Sequence, residues 1–218
     1  MTDNRLSGLA LIAASCGSII TMALHPTGHI PAEQLERTIR MMIIVHSFAM
    51  AWVPVQFLGG LGLSRRIDRN GRFGIAGLVL YGFGLVAITS AAVADGLVIP
   101  DVFRQIVASA GSQAAIDNWR MLSRYTFYWN QGYAQVFVGA SSMAIFLWSV
   151  GIWRSGNFAR GLAIYGCILP LVTVGAMFSG HLPLDAHRFG IVVLGQAIWF
   201  VVAGAQLWNA EGPTVAVS

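Results

Sequence analysis

Six apolar runs, separated by polar connections, set the limits on what this 218-residue chain can become. They cover residues 6–24, 39–63, 73–94, 132–153, 161–179 and 187–208. A helix advances about 1.5 Å per residue, so ~20 apolar residues cross the ~30 Å hydrocarbon core of a bilayer. In that core the backbone has no water to bond, and a chain of this kind must satisfy its amides within each segment as helix. The pattern predicts an all-α fold: a polytopic integral membrane protein, a six-transmembrane-helix bundle forming one domain over residues 1–218. Composition agrees, with 56% hydrophobic and 10% charged residues and a mean hydropathy of +0.67, where a soluble domain carries about 25% charge.

All 13 basic residues are arginine. The absence of lysine excludes retinal or pyridoxal Schiff-base chemistry and a phosphate-binding P-loop. The net charge of +4 is spread between apolar runs rather than gathered in a patch, so it speaks for membrane orientation and against nucleic acid. On the side of the termini stand Arg5, Arg65, Arg66, Arg69, Arg72, Arg154 and Arg160, opposed by Asp3, Asp68 and Glu211. On the other side Arg37, Arg40, Arg104, Arg120, Arg124 and Arg188 are balanced by Glu33, Glu36, Asp95, Asp101, Asp117 and Asp185. The excess of arginine in the short connections predicts both termini in the cytoplasm of a cell inner membrane.

The connection from Asp95 to Asn130 is long. Asp101 is placed to cap a short helix presenting Val102, Phe103, Ile106 and Val107, and a second stretch, Ala114 to Tyr125, follows. With the aromatics Trp119, Tyr125, Phe127, Tyr128 and Trp129 beside them, these read as a helical segment lying in the interface between spans 3 and 4. Arg120 and Arg124, with Arg37 and Arg40, form a candidate contact for anionic headgroups. Within the spans, Ala10, Ala14 and Ser18 predict a smooth packing face, Gln135, Ser141, Ser142 and Gln196 interhelical hydrogen bonds, Pro54 and Pro170 kinks, and Cys16 and Cys167 two buried thiols.

The histidines carry the functional signal. His25 and His29 follow the first span, His46 lies inside the second, and His181 and His187 flank the junction between the fifth and sixth. In the topology above, all five occupy the outward side. Imidazole ligates zinc, iron, copper and haem iron, and three protein ligands with an open position make a catalytic zinc site. His25, His29, His46, His181 and His187 are therefore the candidate metal ligands. Asp185 and His187 are the candidate catalytic pair, with Asp185 as a metal ligand, a partner orienting a histidine or a base, and also a candidate helix N-cap. His46 matters most, because a polar ring at that depth needs a partner.

In layout, Gly139-Ala140-Ser141-Ser142 on the fourth span and Ala186-His187-Arg188-Phe189-Gly190 on the sixth resemble the rhomboid intramembrane proteases, whose serine and histidine lie in Gly-x-Ser-Gly and Ala-His-x-x-Gly motifs. The second motif matches; the first departs at Ser142, and Met50 stands where an asparagine would follow His46. Alkaline ceramidases, which use a serine and three histidines around zinc, are a further likeness in design, but the late His-x-x-x-His pair is missing. The favoured expectation is a metal-dependent membrane enzyme acting on a lipid-like or apolar small molecule, with membrane lipid around it. It would be a hydrolase with zinc, or an oxidoreductase with iron or copper. The alternatives are a b-haem or quinone-linked electron carrier, with Trp52, Trp119, Tyr128 and Trp129 lining its pocket, an ion- or proton-coupled transporter, and a structural or assembly role.

Overall fold

The computed structural model describes residues 3–26, 32–67, 72–182 and 184–210. Among them there are helices and no strands: α1 (Asp3–Leu24), α2 (Leu35–Ile67, entered through a 3₁₀ turn, Ala32–Gln34), α3 (Arg72–Val93), α4 (Ile99–Ala108), α5 (Gln113–Ser155), α6 (Arg160–Phe178) and α7 (Ala186–Asn209). A π-helical segment, Ala94–Val98, joins α3 to α4 without a break. With α3 and α4 taken as one rod, six helices are long and apolar enough to cross a membrane.

Each helix packs on its neighbours in the order α1, α2, α3, α5, α6, α7, and a lighter contact of α7 with α6 beside the extensive one with α1 completes the ring. The core lies toward the arginine-rich end. There Trp148 and Trp199 stack with ring centroids 6.0 Å apart, and Tyr81 and Phe200 pack against them. The two indoles carry N–H groups that hydrocarbon cannot satisfy. The Trp148 indole donates to the Ser64 hydroxyl at 3.0 Å and the Gly74 carbonyl at 3.2 Å. Trp199 donates to the Leu162 carbonyl at 3.2 Å.

The α1–α7 crossing depends on glycine. A Cβ on Gly8 would stand 2.5 Å from the Gly204 carbonyl oxygen, and one on Gly204 would stand 2.7 Å from that of Gly8. Close backbone approach of this kind is a standard way for helices to associate where no hydrophobic force separates protein from lipid. Toward the other end the two helices border an open groove of about 420 Å³. The packing face of α1 is Gly8, Leu11, Ala14, Ser15, Gly17 and Thr21. Of the face expected from small residues, Ala14 is buried, whereas Ala10 and Ser18 sit at its margin.

Two expectations change. The connection 95–130 is not a separate segment. Its two helices are real, but they continue the flanking spans through Arg72–Ala108 and Gln113–Ser155, joined by a tight turn. At about 1.5 Å per residue these rods reach roughly 55 and 65 Å, well beyond a ~30 Å core. Asp101 consequently lies inside the first turn of α4, bonded to Arg104 at 3.0 Å, rather than capping it. The thiols differ as well: Cys16 is exposed and Cys167 half-buried, both free, because the face of α1 carrying Cys16 points out of the bundle. Pro54 and Pro170 are accommodated within continuous helices.

Candidate metal centre

Three side chains meet at the end of the bundle remote from the arginine-rich connections. His25 follows the last turn of α1, His46 lies in α2, and Asp95 lies in the π-helical segment after α3. Asp95 Oδ2 is 3.3 Å from His25 Nε2 and 3.2 Å from His46 Nε2. The two imidazoles stand edge to face, with centroids 5.0 Å apart. Each residue offers one ligand atom, and the three lie within 4.8 Å of one another. His46 is buried; the other two are half-buried.

Local structure explains why they converge. A π turn places one extra residue in the helical circuit and re-aims the side chains around it, and such segments recur at functional sites. Here it turns Asp95 toward α1 and α2. Gly96, next to it, lets α2 approach: a Cβ there would run into His46 Cβ and stand 2.6 Å from Cγ. Without a side chain at position 96, the His46 ring occupies that space.

The second nitrogen of each ring fixes the chemistry. His46 Nδ1 is 2.7 Å from the Met42 carbonyl oxygen, and His25 Nδ1 is 3.1 Å from that of Pro26. A carbonyl only accepts, so in both rings Nδ1–H is the donor. A neutral imidazole then has no hydrogen on Nε2, and both Nε2 lone pairs point at a carboxylate oxygen that also only accepts. Lone pairs facing each other at 3.2–3.3 Å repel. A metal ion in the gap, or protons on the rings or on the carboxyl, would relieve that repulsion. His25, His46 and Asp95 would hold a divalent ion through two imidazole nitrogens and a carboxylate oxygen, a donor set that suits zinc. Imidazoles held through Nδ1–H by backbone carbonyls are the usual second layer of a metal site.

The other expected site residues lie elsewhere. His181 is exposed, its Nδ1 2.9 Å from the Ser179 hydroxyl. His187 is exposed in the first turn of α7 and shares the α1–α7 groove with His25. Asp185 is the N-cap of α7, accepting from the Arg188 amide at 2.9 Å, and it meets the Arg188 side chain at 3.4 Å; that amide bond holds its carboxyl below the usual range. His29 lies outside the described residues. Of the expected ligands, the structure therefore joins His25 to His46 and adds Asp95, which the sequence reading counted only as a charge at the start of a loop.

The serines of the fourth span do not meet His187. Ser142 accepts from Gln196 Nε2 at 3.2 Å, and Ser141 donates to the Phe137 carbonyl at 2.7 Å. Gln196 lies nine residues along α7 from His187, about 13 Å deeper. Tyr128 and Trp129 are exposed on α5, at 72% and 49%. Arg120 pairs with Asp117 at 3.7 Å and, with Arg124, edges a shallow groove beside Phe103 and Ile106.

No protein-family model, no curated protein and no solved structure matches this chain.

Proposed function

We propose that the protein is a multi-pass inner-membrane metalloenzyme whose ion is held by His25, His46 and Asp95 at the outward boundary of the bilayer. The observation that carries this reading is the pair of Nε2 lone pairs aimed at one carboxylate oxygen, each ring locked by a backbone carbonyl. Two imidazoles and a carboxylate suit zinc and non-haem iron(II), and both metals then keep positions open for water and substrate. A haem suits the site less well, because its plane would have to displace Asp95 from between the two nitrogens. With zinc bound, water at the open position becomes a nucleophile near neutral pH. The reaction favoured is hydrolysis of a lipid-like substrate, since apolar side chains of α1 and α7 surround the approach to His25. With iron, the same ligands would support oxidation.

Protons are the competing occupants of the gap. Two imidazolium rings on one aspartate would suit a proton-coupled transporter, and the 3.2–3.3 Å separations are also those of ion pairs. Metal titration separates the two. Stripped wild-type protein in detergent should take up one zinc per chain. His46→Ala and Asp95→Ala should lose that uptake while keeping wild-type helicity by circular dichroism. Wild-type protein that takes up no zinc, iron(II) or copper would overturn the metal reading in favour of protons.

A further inference from the structure

The groove between α1 and α7 is apolar along its walls and polar at one end. Ile19, Met22 and Ala23 face it from α1, and Ile191 and Leu194 from α7. Its two ionisable lining residues are His25 and His187. From Ile19 to His25 the α1 wall runs six residues, about 9 Å, and its volume of about 420 Å³ falls within the range of small-molecule sites. His25 belongs both to this groove and to the metal centre, so whatever lies in the groove has its end beside the ion.

We propose that the groove binds one linear hydrocarbon chain of a lipid-like substrate, tail between α1 and α7 and polar head between His25 and His187. This rests on the metal-centre reading above and assigns its substrate class and a new binding residue. The histidines mark one end of the groove and apolar side chains line the rest, so a bound chain lies with its polar end at the histidines. His187 has no metal-ligand role here. As an exposed donor opposite His25 it holds the head group in place. Gly190 sets the width: a Cβ there would meet only the flexible end of Met22, at 3.6 Å. A leucine at 190 can therefore be built without a backbone clash, and its side chain would lie across the channel.

The test uses n-alkyl hydroxamates, whose head ligates a metal while the tail reports on the groove, with the zinc-loaded full-length protein in one detergent throughout. In wild type, affinity should rise about four-fold per methylene and then level off where the groove ends. In Gly190→Leu the rise should stop at a shorter chain, with zinc content and acetohydroxamate affinity unchanged. His187→Ala should weaken every member of the series by about three- to ten-fold, acetohydroxamate included, without loss of zinc. Identical chain-length curves for wild type and Gly190→Leu would overturn the groove assignment. Unchanged affinities in His187→Ala would overturn its role. Failure of the metal reading would show separately, as absent zinc or absent acetohydroxamate binding in wild type.

Discussion

Gly96→Ala alters no ligand, yet it should dismantle the metal centre. The new methyl carbon would lie 2.6 Å from His46 Cγ, whereas carbon atoms settle at about 3.5–4.0 Å. The π segment and α2 must therefore separate locally by about 1 Å. His46 Nε2 and Asp95 Oδ2, now 3.2 Å apart, would move by several times the ~0.2 Å that a metal site tolerates. Zinc affinity should fall at least ten- to a hundred-fold, the range seen when supports of metal ligands are removed. Overpacking of this kind also costs ~1–3 kcal/mol of stability, so the fold must be checked alongside. Competition against a chromophoric chelator measures affinity, and circular dichroism measures helicity. Gly139→Ala serves as the control, because a Cβ at position 139 meets nothing within 4 Å. A folded Gly96→Ala protein that binds zinc as tightly as wild type would refute the claim that this glycine sets the approach of His46 to Asp95.

Other elements give separate tests. Trp148→Phe removes the indole donor to Ser64 and Gly74, which should cost roughly 1–3 kcal/mol. The thermal midpoint in detergent should drop while zinc affinity holds, because the tryptophan packs at the opposite end of the bundle; equal loss of both would show that the two ends are not independent. Asp185 has a carboxyl depressed by the Arg188 amide. A depressed carboxylate contributes stability that is complete above its unfolded value of about 3.9 and lost as pH falls through the lower folded value. Asparagine caps a helix without titrating, so Asp185→Asn should flatten the acid side of the stability–pH curve. An unaltered curve would remove Asp185 as its source.

Depth was legible in the sequence, and lateral order was not. From the arginine-rich end, His25 lies twenty residues beyond Arg5 and His46 nineteen before Arg65; Asp95 lies twenty-three after Arg72 and His181 twenty-one after Arg160. At about 1.5 Å per residue all four stand at one level within roughly 6 Å. Helix positions, the Asp185 cap and the six long apolar helices follow from apolar period and turn residues. What the sequence withheld was which helices are neighbours. His181, at the right depth, sits at the end of α6, which packs mainly on α5, whereas α1 lies between α2 and α7. Asp95 escaped notice because Asp-Gly after an apolar run reads as a turn. Here the helix instead runs on through a π segment into α4, so that one rod spans Arg72–Ala108. Matching its depth to His46 would have been the signal that marked it.

X-ray absorption at the zinc edge of the loaded wild-type protein tests the metal centre most directly. The account predicts a shell of nitrogen and oxygen only, at about 2.0–2.2 Å, with outer scattering from two imidazoles that disappears along with the bound zinc in His46→Ala. Sulfur in the first shell, a shell of four imidazoles, or an unchanged spectrum in His46→Ala would contradict the assignment of His25, His46 and Asp95 as the ligands.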